Sequence, residues 1–407
     1  MIIRKIINPN LSKQFSTFSK MNNFPMMGLS RRIKKSPFIF ETLKAGASDF
    51  TVYNHYLMPI NYNENEKYNK NLDKDDNEDK DYLNLINNVN LWDVSVQRQI
   101  QISGIDSTKF LNFVLTRNIN NMKIGQCKYS LICDDNGIVI NDPLLLKSDY
   151  NKYWLSIADN DIYLWLKGLN YFGNFKVNIK ETDISTLAIQ GPKSKLLVED
   201  LINDKIDLKK LCFKNYRLLN DIPVIISNSG WSPENGYEIL LLDNLKAEKL
   251  WKYIMQKGKK YNIKPSGPNQ LRRIEGNMLS YGSDTLKDTN GLEINNSKYL
   301  INFDKDFLGK KSLEKIKNQT LRKYVKFELN SESDISKPPF FYGNSVDVYF
   351  KNNKVGKLVG IVKKNSSAEK KKYIGLVNLD ENFIYVKKEF SFKFNNYDLY
   401  GKIIDSN

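Results

Sequence analysis

One aspartate in this chain of 407 residues stands where a carboxylate is costly. Asp142 interrupts a run of strand-forming residues, 138–146, immediately before Pro143. A carboxylate among apolar side chains needs something polar to receive it. Asp142 is therefore either a group with chemistry to do or a cap on a turn. The stretch 125–146, GQCKYSLICDDNGIVINDPLLL, delivers it. Two apolar runs, 129–133 and 138–146, flank Asp134-Asp135-Asn136-Gly137. Asn-Gly between apolar runs predicts a β-hairpin, because both residues accept positive φ.

Two further segments carry chemistry-bearing residues. Ser229-Gly230-Trp231-Ser232-Pro233-Glu234-Asn235-Gly236-Tyr237-Glu238-Ile239 places an acid, Glu238, inside a strand pattern, where alternation turns it toward solvent. Arg272-Arg273-Ile274-Glu275-Gly276 puts Arg273 and Glu275 on a helix, as a surface pair or a tie between helix and loop. His55 is the sole histidine, which excludes multi-histidine metal sites. A Ser-His-Asp or Cys-His site would have to use it. Its context, Thr51-Val52-Tyr53-Asn54-His55, predicts a hydrogen-bonded structural histidine. Cys127, Cys133 and Cys212 show no Cys-x-x-Cys spacing, which argues against a disulfide framework or structural zinc and for a reducing compartment.

The elements that must position these groups read as follows. A strand at 96–103 precedes a helix capped by Asp106 or Ser107. After the hairpin come a strand at 153–158, a helix at 161–169, a strand at 186–190 and a helix at 193–203. Strands at 224–227 and 237–242 surround the loop 228–236, with helices at 245–258 and 269–279 beyond. From about residue 320 the pattern changes to short strands at 324–329, 345–351, 357–363, 373–377, 389–394 and 399–404. Regular short strands without helices predict a small β-barrel. The fold class is α+β with an all-β C-terminal domain.

Hydrophobic residues make up 41% of the chain, with no run long enough to span a membrane. The formal net charge is +16, and residues 1–38 supply half of it with eight Lys or Arg and no acid. Basic, Ser- and Asn-rich, acid-free composition predicts a mitochondrial-type targeting segment over residues 1–36. Residues 63–81, NENEKYNKNLDKDDNEDKD, predict a disordered surface insertion. The remaining lysine excess reads as a solvated surface, or as attraction to a polyanionic ligand tail or an acidic partner. No recognised module supports nucleic-acid binding.

Taken together, the three segments resemble the tetrahydrofolate-dependent aminomethyltransferase family, which includes the glycine cleavage T-protein. Supporting motifs are Leu91-Trp92-Asp93-Val94-Ser95, Leu187-Ala188-Ile189-Gln190-Gly191-Pro192 and Asp306-Phe307-Leu308-Gly309-Lys310. Val355-Gly356-Lys357-Leu358-Val359-Gly360 and Tyr373-Ile374-Gly375-Leu376-Val377 resemble the family's C-terminal barrel. The likeness runs from about Ser36 to the end, broken at 63–81. Within the family the chain is most similar to dimethylsulfoniopropionate demethylase-like members, through Ser36-Pro37-Phe38, Thr51–His55, Lys123-Ile124-Gly125-Gln126-Cys127-Lys128-Tyr129 and Trp154-Leu155-Ser156-Ile157-Ala158-Asp159. It departs from the T-protein pattern at Val96-Gln97, where His-Met is usual, at Ala158, where an asparagine is usual, and at Glu293-Ile294-Asn295-Asn296, where Glu-Ala-Gly-Leu is usual.

The resemblance implies a three-domain cloverleaf, with folate-binding domains over 37–319 and the barrel over 320–407. It implies tetrahydrofolate as cofactor, with Asp142 near its N5 as the catalytic carboxylate and Glu238 on the amino-imino edge of the pterin. Trp231 and Tyr129 would be walls for the flat heterocycle. Arg273 would anchor the folate's glutamate tail or tie to a neighbouring acid. The implied activity is aminomethyl transfer from a lipoyl-bearing carrier protein, releasing ammonia and forming methylenetetrahydrofolate in the mitochondrion. The alternatives are demethylation of a small sulfonium-type methyl donor, which Val96-Gln97 and Ala158 favour, and a non-catalytic folate-binding assembly factor. The Lys-Gly-Cys-Tyr-x-Gly-Gln-Glu signature of iron–sulfur assembly relatives is missing.

Overall fold

A computed structural model describes residues 33–62, 74–331, 345–364, 371–394 and 397–405. Residues 1–32 of the targeting-type segment and 63–73 of the expected insertion lie outside the described residues.

The described chain opens with β1 (Lys34–Lys35), α1 (Ile39–Lys44), β2 (Ala47–Tyr53) and β3 (Tyr56–Tyr62). Asn54 and His55 close the β2–β3 hairpin with φ of 50° and 69°. Two successive left-handed residues give a turn whose twist matches that of the strands. His55 is exposed there, and its backbone carbonyl accepts from the Lys34 amide at 2.7 Å. The expected side-chain hydrogen bond is not found among the described residues; the turn needs this residue's backbone.

Helix α2 (Lys74–Asn87) corrects the expectation of disorder through residue 81. Its C-terminal half is pinned by Leu85, which is fully buried against Trp92, Val94 and Ala188. Extending an anchored helix costs far less than nucleating one, so the helix propagates back into the charged tract.

Two facing sheets follow. The elements are β4 (Val89–Asp93), β5 (Gln99–Ser103), α3 (Ser107–Val114), β6 (Cys127–Tyr129), β7 (Ile132–Cys133), β8 (Val139–Asn141), β9 (Leu144–Asp149), β10 (Lys152–Ser156), α4 (Ile162–Gly173) and β11 (Asn178–Thr182). Then come β12 (Ser185–Gln190), α5 (Ser194–Ile202), β13 (Phe213–Leu218), β14 (Ile222–Ser227), β15 (Gly236–Leu241), α6 (Ala247–Gly258), β16 (Ile263–Pro265), α7 (Gln270–Glu275), α8 (Ser297–Leu300) and α9 (Lys310–Ile316). A five-stranded sheet runs β11-β5-β10-β9-β6 and a six-stranded one β13-β14-β15-β12-β4-β16. Phe110, Leu111 and Val114 of α3 and Ile162 and Leu166 of α4 cover the first on Ile100, Ile102, Tyr153 and Leu155. Leu197 and Leu201 of α5 and Leu250 and Ile254 of α6 cover the second on Leu187, Ile239 and Leu241. The uncovered faces meet through Cys127, Leu146 and Trp154 on one side and Phe213, Ile225 and Leu240 on the other.

Two boundaries differ from expectation. The strand expected from residue 96 starts at Gln99, because residues 94–97 form a turn in which the Gln97 amide donates to Val94 O. Helix α7 ends at Glu275 rather than near 279, because Gly276 caps it and Asn277 takes a left-handed φ of 57°.

The six C-terminal strands are β17 (Arg322–Ser331), β18 (Val346–Phe350), β19 (Asn353–Lys364), β20 (Lys371–Asp380), β21 (Phe390–Phe394) and β22 (Tyr397–Asp405). They close into a barrel in the order β17-β20-β19-β18-β21-β22. Phe327 fills it, edge-on to Phe390 and Phe392. Outward-facing Tyr324, Val359 and Leu376 pack on Leu131, Cys133 and Val139. The α+β class with a terminal β-barrel is the observed one.

Candidate active site

The hairpin that carries Asp142 is split between two sheets. Tyr129 pairs with Leu144 in the five-stranded sheet, and Ile132 pairs with Asn141 in the separate β7–β8 ribbon. Asp142 and Pro143 sit at the step between them. Proline gives no amide to a ladder and holds its predecessor extended, so the sequence itself breaks the strand here. The turn differs from the expected one. Gly137 alone takes a positive φ, of 81°, while Asp134 Oδ1 accepts from the Asn136 and Ile138 amides at 2.9 and 2.8 Å. Asp134, not Asn136, organises the turn, in a geometry that needs one left-handed residue.

Asp142 stays partly exposed while densely surrounded. The Tyr129 hydroxyl donates to its Oδ2 at 2.8 Å. Burial raises the carboxyl to about 7; the Tyr129 bond opposes this and the Asp284 charge adds to it. Burial and Asp142 push the Tyr129 phenol well up in turn, so it remains a donor. The neighbouring Asn141 is fully buried and holds both backbone polar groups of one residue, donating to Ala158 O and accepting from Ala158 N, both at 3.1 Å. This clamp fixes the chain beside Asp142.

Glu238 faces inward, contrary to the solvent-facing expectation. Register places Ser227, Glu238, Ala188 and Trp92 in one row across β14, β15, β12 and β4. That row lies on the face turned toward the other sheet. Since helices cover the opposite face, both faces of β15 are buried and alternation carries no information. Glu238 is 6% exposed, and its Oε2 accepts from Ser229 Oγ. Ser227 Oγ lies 2.8 Å from Ser229 Oγ, and Cys127 Sγ lies 3.5 Å from Ser227 Oγ. Ser229 has one hydroxyl proton, and both Glu238 Oε2 and Ser227 Oγ lie within its reach as acceptors. Burial raises the Glu238 carboxyl, against the bonds from Ser229 and Gln97. It also pushes the Cys127 thiol up to about 12, which keeps that end of the chain protonated.

The two carboxylates are thus linked across one short strand. Tyr129 and Cys127 lie two residues apart on β6, hence on the same face. One contacts Asp142 and the other reaches Glu238 through two serines. Neither carboxylate has a cationic partner among the described residues.

Trp231 is half-buried, with its Nε1 donating to Leu279 O at 3.3 Å and the Arg273 guanidinium 5.2 Å from its ring centre. Arg273 itself is 3% exposed and fully engaged. It donates to both oxygens of Asp284, at 2.6 and 3.1 Å, to Gln270 Oε1 at 2.7 Å and to Met278 O at 3.2 Å. Of the two roles left open for it, this geometry is that of a tie to a neighbouring acid. Glu275 instead meets Arg272 and Tyr82.

Gln190 and Ser229 had no role assigned from sequence, and neither did Asn141. The readable signal was glycine. A Cβ on Gly230 or Gly236 would stand 2.1 or 2.2 Å from Gln190 Nε2, so both glycines exist to let Gln190 pass between them. Gln190 then accepts from Ser232 Oγ at 2.9 Å and shapes the loop that presents Ser229 and Trp231.

Residues 39–305 match the family model described as the GCVT N-terminal domain. The chain belongs to the GCVT family. This is a family of tetrahydrofolate-dependent one-carbon transferases, and the chain is an enzyme of that kind. It is 31% identical over 296 residues to dimethylsulfoniopropionate demethylase DmdA of Ruegeria pomeroyi, covering 72% of this chain and 77% of that one. It is 31% identical over 336 residues to an aminomethyltransferase of Caldanaerobacter subterraneus, covering 79% and 85%. The glycine cleavage system aminomethyltransferase T of Bartonella henselae shares the fold, with a TM-score of 0.71, 19% identity and coverage of 92% and 97%. The GCVT-type fold accounts for the paired sheets and the closing barrel together.

Proposed function

We propose that the chain is an aminomethyltransferase that uses tetrahydrofolate, held in the cleft between Asp142 and Glu238. The observation that carries this reading is the pair itself: one half-buried and one buried carboxylate, without cationic partners among the described residues, linked through side chains on one face of β6. Such groups are costly in a fold and are kept where charge or hydrogen-bond donors arrive with a ligand.

Folate, when bound, supplies the nucleophilic nitrogen N5. The protein's part is to orient it and balance charge. Glu238, oriented by Ser229, can accept two parallel N–H bonds from the edge of a pterin, which fixes the ring in register. Asp142, steadied by Tyr129, can stabilise positive charge developing at the reacting nitrogen. Trp231 and Tyr129 offer aromatic surface to a flat heterocycle. The likeness to named aminomethyltransferases supports the aminomethyl donor, presented by a lipoyl-bearing carrier protein, and the basic N-terminal composition supports a mitochondrial location.

A second reading is demethylation of a small sulfonium-type donor. It is favoured by the similarity to the demethylase and by Gln97 and Ala158, which stand at the departures from the T-protein pattern and lie against Glu238 and Asn141. Incubation with tetrahydrofolate and aminomethylated carrier protein tests the choice. Ammonia with methylenetetrahydrofolate is the expected outcome. Methyltetrahydrofolate from a sulfonium donor gives the second reading, and folate binding without product from either donor would mean an assembly factor. Equilibrium binding of tetrahydrofolate, lost in Glu238→Ala, checks the pocket independently of the donor.

A further inference from the structure

Arg273 is consumed by Asp284, so carboxylates of a ligand in this cleft need another cationic partner. Arg98, Arg272, Arg273 and Arg322 each hold a carboxylate at 3.2 Å or less. Arg117 differs. It is half-buried, and its Nη1 donates to a backbone carbonyl, Tyr129 O, at 2.9 Å. Lys128, the residue before Tyr129, is likewise half-buried, and its Nζ donates to Asn118 O at 3.0 Å. Neither meets an acid among the described residues. Capping α3 does not explain them, because Lys305 Nζ already holds the Asn112 and Leu115 carbonyls at 2.5 Å. Desolvation lowers both cations, and Arg117 lowers Lys128 further. Two like charges withdrawn from water side by side are unfavourable until an anion joins them. Their place is informative as well. Arg117 touches the carbonyl of the same Tyr129 whose hydroxyl holds Asp142, so one tyrosine separates the pair from the candidate site.

We propose that Arg117 and Lys128 form a carboxylate-binding subsite beside the cleft. It rests on the folate reading for its most natural occupant, the glutamate tail of the cofactor; a carboxylate on the one-carbon donor offers the same chemistry. An arginine fork and a lysine point charge together suit carboxylates carried on a flexible chain.

Binding of tetrahydrofolate mono- and pentaglutamate to the full chain tests this, in wild type and in the double variant Arg117→Gln, Lys128→Gln. Both positions are partly exposed, and circular dichroism verifies that the variant folds. Wild type should favour the pentaglutamate by about tenfold at low salt, less at high salt, and the double variant should bind both alike. Arg117→Lys, which keeps the charge, should retain part of the preference. If the donor is the source, the two folates bind wild type equally and the double variant raises KM for a carboxylate-bearing donor at unchanged kcat, which also upholds the subsite. Preference and KM both unaltered in the folded double variant overturn it. Should wild type bind neither folate, the folate reading fails by itself, and free γ-linked pentaglutamate decides the pair. Salt-sensitive binding lost in the double variant upholds the subsite, and its absence in wild type overturns it.

Discussion

Asp142 bears the most specific expectations at the scale of single residues. Its carboxyl is raised to about 7, above the ordinary carboxylate range, chiefly by burial. If the charged form stabilises the reacting nitrogen, turnover should rise with pH through about 7. Asp142→Asn should then lose on the order of 2–4 kcal/mol of transition-state stabilisation and show a flat profile over that window. Stability runs the other way. A carboxyl whose folded pKa is raised binds more protons folded than unfolded, so the fold loses stability as pH rises from the ordinary carboxylate range to about 7. Urea midpoints across that range should fall in wild type and fall less in Asp142→Asn. Equal slopes in the two proteins would remove Asp142 as the titrating group. Glu238 is governed by the same physics, with a hydroxyl rather than a cation as partner. Glu238→Ala should abolish folate binding with little loss of stability, since it removes a buried charge along with its hydrogen bond.

Among the elements, the loop between β14 and β15 is the device that presents Ser229 and Trp231. Its shape depends on Gln190, on the adjacent strand β12, lying between Gly230 and Gly236. Gly236→Ala should overpack this contact and cost about 1–3 kcal/mol, read as a lowered denaturant midpoint at unchanged slope. Adding Gln190→Ala should recover part of that loss, because the clash is with the amide. No recovery in the double variant would place the strain in the β15 backbone instead. Folate affinity should fall in both variants, since the loop loses its shape either way. The β6–β9 step is a second such device. Pro143 ends one pairing, Ser130 N donates to Pro143 O at 3.1 Å, and Asp142 stays partly exposed where the ladder breaks.

The whole molecule is held around the site by the barrel. The Arg273–Asp284 pair lies between α7 and the barrel wall, where Tyr324 OH donates to Asp284 O at 3.3 Å and a Cβ on Gly360 would stand 3.4 Å from Asp284 Oδ1. Lys326 Nζ donates to Glu275 O at 2.9 Å, and Arg322 on β17 meets Glu293 at 3.0 Å and Asp288 at 3.2 Å. Asp284→Ala should leave a buried guanidinium uncompensated and destabilise by about 3–5 kcal/mol, with a lower melting temperature. Replacing both partners, Arg273→Met with Asp284→Leu, should restore most of it. If the double variant is as unstable as the single one, the pair contributes through specific hydrogen bonds to Met278 and Gln270 rather than through charge balance.

Residue types and their order set the local grammar. Proline at 143, glycine at 137 and the change to short strands after residue 320 act within a few residues, and they located the hairpin, its break and the barrel. Motif order established the family, because many short likenesses in one order are hard to reach otherwise. Tertiary structure decided what each polar group faces. Glu238 read as a solvent residue because alternation assumes one wet face, and β15 has none. Arg273 could not be assigned until α7 ended early and the following loop folded Asp284 back onto it. Residues 74–81 read as disordered because their own composition buries nothing, and the anchor that orders them lies further along the same helix. Burial and charge pairing are set by groups far apart in the chain, and only folding brings those groups within reach of one another.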